Sequence, residues 1–226
     1  MVTLVDPIVK SRWEKEAKKG SNKSYPNIDL VRLEKWFFES PGKLIDYGFG
    51  SGVNIQHFAK EGYEIEGVDA SEGSLRTAKN KLAESNIQNL RVNLQALEED
   101  ATKLPYDDNY FDYAIIISVI SLLGDLNRIH LVLSELKRVL KPEGKIIADV
   151  NTNKSSFAIQ GTHIGNNIYE NIGRDKDQEK ILCYCPDSED HFKEIFIKYF
   201  KIVNIGRSTS IIMNNSTDEF IFCGKK

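Results

Sequence analysis

The chain has 226 residues, 41% hydrophobic and 28% charged, with a formal net charge of −3. Such a composition fits a soluble globular protein with a sizeable core, one α/β domain plus room for a small insert. The slight acidity argues against a nucleic-acid binder, which carries a basic excess or a basic stripe. The N-terminus shows no apolar signal region and no apolar run approaches the length of a membrane span, so a cytoplasmic protein is expected. Three cysteines, Cys183, Cys185 and Cys223, read as packed thiols in a reducing compartment; their spacing lacks the second pair that a zinc site needs.

Residues 8–40 predict two helices around the breaker turn 20–27. The basic run from Lys10 to Lys23 is interleaved with Glu14 and Glu16, which predicts a solvated helix face. The second helix carries an apolar stripe at Ile28, Leu30, Val31, Leu33, Trp36 and Phe37, and Pro41-Gly42 ends it. The chain then alternates: strand 43–47, helix 53–61, strand 64–68, helix 71–85, strand 90–94, strand 113–118, helix 126–140 and strand 145–150. Short apolar strands alternating with helices imply βαβ units and a parallel sheet buried on both faces. Residues 151–180 are rich in Asn, Gly, Lys and Ser without a clear period, and a stretch that long predicts a lid or insert. A helix over 188–200 resumes the pattern. Strand-like runs at 201–206 and 219–224, with the polar turn 214–217 between them, predict a terminal hairpin.

The chemistry concentrates at strand ends. Residues 43–52 read Lys-Leu-Ile-Asp-Tyr-Gly-Phe-Gly-Ser-Gly: a strand ending in Asp46, three glycines at alternate positions, then a helix start. Glycine can adopt φ > 0 and let a ligand lie against the backbone, and a Gly-rich turn entering a helix suits a nucleotide-like ligand. A dinucleotide fingerprint would place its last Gly or Ala where Val53 stands. Asp69 closes the next strand and offers two acceptor oxygens for adjacent ribose hydroxyls; capping of the following helix is the structural alternative. Residues 99–106 read Glu-Asp-Ala-Thr-Lys-Leu-Pro-Tyr, and residues 136–144 read Leu-Lys-Arg-Val-Leu-Lys-Pro-Glu-Gly. In the second, Pro142 ends a helix and Gly144 turns the chain into the next strand.

The Asp-x-Gly-x-Gly-x-Gly loop resembles motif I of the class I S-adenosylmethionine (SAM) methyltransferases. The Asp-Ala-x-x-Leu-Pro-Tyr segment at 100–106, the Asn-Tyr-Phe-Asp-Tyr run from 109 and the Leu-Lys-Pro turn are similar to the group that includes quinone-biosynthesis enzymes. This resemblance spans about residues 43–150. It implies a Rossmann-like sheet of seven strands in the order 3-2-1-4-5-7-6, strand 7 antiparallel, with flanking helices. It further implies a SAM site. Asp46 would orient the loop and the ammonium of the methionine tail, and the loop Gly48, Phe49, Gly50 and Gly52 would cradle the tail. Asp69 would take the ribose, Ala70 and Ser71 would border the adenine, Asp100 and Ala101 would meet its amino group and ring, and Ile117 and Ser118 would end the fourth strand beside the sulfonium. Tyr25 is a further candidate to close over the tail.

The expected organisation is a helical cap at 1–42, the SAM-binding core at 43–150, an insert or lid over the acceptor site at 151–180, and a helix with hairpin completing the sheet at 181–226. The acceptor motifs of DNA amino- and cytosine-methylating enzymes are absent: residues 118–121 read Ser-Val-Ile-Ser. The expectation is therefore a bacterial SAM-dependent methyltransferase acting on a small polar metabolite, with no nucleic-acid or membrane partner and no metal. Oxygen of a sugar or nucleotide-sugar is the expected methylated atom. A protein or RNA methyltransferase and a non-catalytic SAM-binding module are the alternatives. His163, in the expected lid, is the candidate general base, because imidazole titrates near neutrality; Tyr169 and Tyr184 compete for the role.

Overall fold

The computed structural model describes residues 2–20, 24–88, 90–171, 179–213 and 215–226. Residues 21–23 of the breaker turn, residues 172–178 of the expected insert and residue 214 of the terminal turn lie outside the described residues. Helices α1 (Pro7–Lys18) and α2 (Ile28–Phe37) precede the core. Then follow β1 (Lys43–Tyr47), α3 (Val53–Lys60), β2 (Glu64–Asp69), α4 (Glu72–Glu84), β3 (Val92–Ala96) and β4 (Phe111–Ile116). A short 3-10 helix (Ile120–Leu123), α5 (Leu126–Val139) and β5 (Leu140–Asn151) come next. After α6 (Ser156–Ile159) run three short strands, β6 (Thr162–Gly165), β7 (Ile168–Asn171) and β8 (Ile181–Tyr184). The chain closes with α7 (Glu189–Phe196), β9 (Lys201–Ile212) and β10 (Asn215–Lys225).

The main sheet has seven strands in the order β3-β2-β1-β4-β5-β10-β9. Without the three insert strands this is 3-2-1-4-5-7-6, and β10 runs antiparallel to both neighbours, as the resemblance implied. The period-2 alternation of strands separates two cores. Ile45, Ala114, Ile116, Ile146 and Ala148 pack on one face with the α5 stripe Ile129, Val132, Leu133, Leu136 and Val139 and with Phe192 and Phe196 of α7. Leu44, Tyr113, Ile115, Ile117 and Ile147 pack on the other face with Leu30, Ile55, Phe58 and Leu82. Each face is covered by helices, so the strands read as continuous apolar runs.

Two departures from the sequence reading have local causes. The insert is a three-stranded antiparallel sheet, β6-β7-β8. Its hairpin turns on Asn166 and Asn167 at φ 50° and 59°, the pair of left-handed residues that a two-residue type I′ loop demands. At the Leu-Lys-Pro turn the left-handed residue is Glu143, at φ 62°, one position before the expected Gly144. The chain here forces an L side chain into the left-handed region, at roughly 1 kcal/mol. Glu143→Gly is therefore expected to raise the thermal unfolding midpoint by a degree or more, checked by calorimetric melting; an unchanged or lower midpoint would show that the left-handed residue carries no such strain.

Candidate functional site

A cavity of about 190 Å³ opens at the carboxyl ends of β1, β2 and β4, where open parallel sheets place their ligands. Its floor begins with the glycine loop. Gly48, Gly50 and Gly52 lie at φ 80°, 53° and 77°, all in the left-handed region. They serve different ends. A Cβ on Gly48 would stand 2.3 Å from Val119 Cγ2, and one on Gly52 would stand 2.8 Å from Ala78 Cβ, whereas one on Gly50 would meet nothing within 4 Å. Gly48 admits Val119, Gly52 admits α4, and Gly50 keeps open space beside the backbone.

Asp69 ties this loop to the end of β2. Its Oδ2 accepts from the Gly50 N–H at 2.8 Å and its Oδ1 from the Ser71 N–H at 2.9 Å. Helix α4 is capped by Ser71, whose Oγ accepts from the Ser74 N–H at 3.0 Å, so Asp69 is released from the capping role. Burial holds the Asp69 carboxyl up at about 6, against the pull of these donors. Asp46 lies directly under the loop, buried, with Oδ2 lacking any hydrogen-bond partner among the described residues. Burial, and secondarily the charge of Asp69, push it up to about 8.

At the far wall Ser118 leaves β4 at φ 61°, its N–H held by Asp149 Oδ1. This left-handed turn lays Val119 across Gly48 and sends the chain into the 3-10 helix. A non-glycine residue held in that region at a cavity wall marks stored backbone strain, which clusters at functional sites.

The roof is the N-terminal segment. Asp6 caps α1, accepting from the Ile8 and Val9 N–H groups at 2.9 and 3.2 Å. Arg128 on α5 clamps the segment through Asp6 Oδ2 at 2.7 Å, the Thr3 carbonyl at 3.1 Å and the Leu123 carbonyl at 3.0 Å. Glu14 accepts from Ser71 Oγ at 2.9 Å and from the Gly73 N–H at 3.0 Å, which locks α1 to the start of α4. The charged face expected to be solvated thus includes a docking residue. Val9, Trp13, Glu16 and Ala17 of α1 face the cavity, with Val5, Val119, Leu122 and Leu123 completing an apolar wall.

Of the residues singled out from sequence, Gly48, Phe49, Gly50, Asp69, Ala70, Ile117 and Ser118 line this cavity. Asp46 and Gly52 support it from below and behind. Ser71 serves as the α4 cap. Asp100 is exposed and outside the lining, because Leu4 and Val5 are buried there: the Leu4 N–H donates to the Ala101 carbonyl at 2.8 Å and the Leu4 carbonyl accepts from Tyr47 Oη at 3.0 Å. Ala101 is covered by the same segment. Leu97 lines the cavity at the end of β3 instead. Tyr25 is exposed and outside the lining. His163 stands on β6 against Tyr169, ring centroids 4.9 Å apart, also outside the lining; Tyr169 and Tyr184 are outside it as well. The insert meets the 3-10 helix through β8, and Leu122 and Leu123 of that helix line the cavity. Val9 and Ala17 of α1 and the 3-10 helix line the cavity without having been singled out from the sequence. Among the described residues no group of three His, Cys, Asp or Glu is placed to hold a metal, and no helix is long and apolar enough to cross a membrane.

The raised Asp46 carboxyl carries a prediction. Below about pH 4, folded and unfolded chains both hold its proton and nothing is lost. From there to about 8 the folded chain alone holds it, so stability falls as pH rises. Asp69 acts in the same sense up to about 6. Denaturant unfolding of the ligand-free protein should show Asp46→Asn gaining on the wild type as pH rises from 5 to 8. A constant difference between the two across that range would contradict a buried, proton-holding Asp46.

Residues 45–148 match the family model described as a methyltransferase domain. The chain is 33% identical over 111 residues to the ubiquinone/menaquinone biosynthesis C-methyltransferase UbiE of Paraburkholderia xenovorans (strain LB400), covering 47% of this chain and 42% of that protein. It thus spans about two-fifths of the length of the curated relatives it matches. Among solved structures, a SAM-dependent methyltransferase from Methanosarcina mazei superposes with a TM-score of 0.73 at 16% identity, over 89% of this chain and 98% of that one. The 1,6-didemethyltoxoflavin-N1-methyltransferase of Burkholderia thailandensis, solved with 1,6-didemethyltoxoflavin and S-adenosylhomocysteine, superposes with a TM-score of 0.72 at 15% identity, over 100% of this chain and 92% of that one. The matched methyltransferase domain, the 3-2-1-4-5-7-6 strand order and the glycine loop at the carboxyl end of β1 make residues 45–148 similar to the class I SAM-dependent methyltransferases.

Proposed function

We propose that the chain transfers a methyl group from SAM to a small-molecule acceptor held under α1. The observation that carries the cofactor is the pairing of Gly50 with Asp69: a glycine whose missing side chain leaves open space, beside a buried carboxylate that lines the same cavity. The unpartnered Asp46 Oδ2 below the loop fits a cofactor with a cationic tail. When bound, SAM supplies an electrophilic methyl on a sulfonium leaving group. The protein's share of the work is then alignment and exclusion of water, which the clamped α1 roof and its apolar wall provide. Asp69 would hold the ribose, Ala70 and Leu97 would border the adenine, and Ser118 with Val119 would flank the reacting centre.

The wall of Val5, Val9, Trp13, Leu122 and Leu123 favours an acceptor with an apolar or aromatic ring. UbiE relatives are named as C-methyltransferases of quinone biosynthesis and the toxoflavin neighbour as an N-methyltransferase of a heterocycle; both names accord with a ring. Oxygen methylation of a sugar or nucleotide-sugar is the second reading, favoured by Asn54, Thr77 and Glu16 at the same cavity. Release of S-adenosylhomocysteine should be measured over two pools, phenols and heterocycles in one and sugars and nucleotide-sugars in the other. Turnover confined to the first pool supports the ring reading, and turnover confined to the second overturns it. Saturable SAM binding without release in any metabolite fraction would point to a binding module instead.

A further inference from the structure

Helix α1 roofs the cavity, and its two ends are fastened in different ways. Ahead of the helix, Leu4 and Val5 are buried. The Leu4 N–H donates to the Ala101 carbonyl at 2.8 Å, and Arg128 holds Asp6 at 2.7 Å and the Thr3 carbonyl at 3.1 Å. Val9, in the first turn, packs against the cluster that contains Leu122. Beyond that turn the hold is polar, for α1 contains no buried residue. Lys10 pairs with the exposed Glu99 at 3.0 Å. Glu14 Oε1 accepts from Ser71 Oγ at 2.9 Å and from the Gly73 N–H at 3.0 Å, with Arg76 3.7 Å away. Burial works to raise the Glu14 carboxyl, but these donors prevail and hold it below the usual range.

The Glu14 contact reaches the donor site. The Ser71 N–H donates to Asp69 Oδ1 at 2.9 Å, and Asp69 Oδ2 accepts from the Gly50 N–H at 2.8 Å. Glu14, Ser71, Asp69 and Gly50 therefore form one line of hydrogen bonds from the roof to the glycine loop. The two helices also touch closely here. A Cβ on Gly73 would stand 2.6 Å from Ala17 Cβ, so no nucleoside passes between α1 and α4 while that contact stands. A donor docked along Gly50, Asp69 and Ala70 lies beneath α1, which must lift on this side to release it.

We propose that α1 is a gate for the methyl donor, hinged at residues 3–9 and latched by Glu14 on Ser71 and Gly73. This rests on the cofactor site proposed above. An element with few buried apolar contacts opens locally at low cost, and a roof that shuts over the donor keeps water from the reaction. Because the latch runs through Ser71, shutting the roof also fixes the residue that orients Asp69.

The test measures association and dissociation rates of S-adenosylhomocysteine by stopped flow, read from the fluorescence of Trp13, which lines the cavity. Wild type is compared with Glu14→Ala, which removes the latch, and with Gly73→Ala. The second variant keeps the carboxylate and wedges the seat, while alanine suits the first turn of α4 better than glycine does. In both variants the two rates should rise together by roughly tenfold or more, the effect of losing hydrogen bonds to a charged group. The dissociation constant should stay within about threefold of wild type, because a shut gate slows entry and exit alike. A rise in dissociation alone would make Glu14 a positioning residue for Asp69 and overturn the gate, as would unchanged rates in either variant. Hydrogen exchange of the ligand-free chain decides the gate without the donor. Amides of residues 13–18 should exchange at least tenfold faster than those of α5, and Glu14→Ala should speed the first group further while leaving α5 unchanged. Equal protection of α1 and α5 would overturn the gate. Absence of S-adenosylhomocysteine binding by wild type would instead refute the cofactor site, with the exchange experiment still deciding whether α1 opens.

Discussion

Gly48→Ala is expected to destabilise the protein by ~2–5 kcal/mol, combining a left-handed backbone with an overpacked contact. The position lies at φ 80°, and the new Cβ would stand 2.3 Å from Val119 Cγ2. Val119 cannot swing away freely, because Ser118 before it is fixed at φ 61° and bonded to Asp149. Gly50→Ala provides the contrast. It too lies in the left-handed region, at φ 53°, yet its Cβ would meet nothing within 4 Å. Its cost in stability should stop at roughly 1 kcal/mol, the backbone term alone, while its methyl group would intrude on the space assigned to the methionine tail. Denaturant unfolding and S-adenosylhomocysteine titration of both variants check this. Gly48→Ala should lose stability, and Gly50→Ala should keep most stability but lose at least tenfold in affinity. Equal stability losses in the two variants would mean that the clash with Val119 is relieved at little cost. Unchanged affinity in Gly50→Ala would mean that no ligand approaches the loop there.

Asp69→Ala should weaken cofactor binding roughly tenfold to a hundredfold or more, as expected when hydrogen bonds to a charged group are lost at ~1.5–3 kcal/mol. Part of that loss is indirect. The carboxylate accepts from both the Gly50 and Ser71 N–H groups, so its removal also frees the loop from the end of β2. Asp69→Asn separates the two contributions. It retains one acceptor oxygen to hold the loop but loses the charge, so its melting temperature should stay nearer to wild type while its affinity falls. An Asp69→Ala protein that binds S-adenosylhomocysteine as wild type does would remove the ribose role altogether.

The part of the site that was legible in the sequence is the part built from local rules. Glycines at 48, 50 and 52 announce left-handed backbone whatever surrounds them, and an acid closing a strand sits at the carboxyl edge of any parallel sheet. Alternating strands and helices were readable because burial on both faces leaves continuous apolar runs. What was hidden depends on distant partners. Leu4 and Val5 are buried only because Tyr47, Ala101 and Arg128 receive them, and that unforeseen segment keeps Asp100 from the cavity. The charged helix around Arg12 and Glu14 reads as solvated until α4 is placed beneath it. The insert strands span four residues each, too short for a period to emerge, though the Asn166-Asn167 pair marked their turn. His163 is a candidate base only if its loop lies over the site; in the structure it packs against Tyr169, outside the cavity lining.

The central claim is that the cavity between α1 and the glycine loop binds the methyl donor. The most direct test is calorimetric titration of S-adenosylhomocysteine into the purified chain near neutral pH. The account predicts saturation at one molecule per chain, with Asp69→Ala shifting the curve to weaker binding and leaving the chain folded. The absence of saturable binding up to about 1 mM, equivalent to less than about 4 kcal/mol of binding free energy, would contradict it.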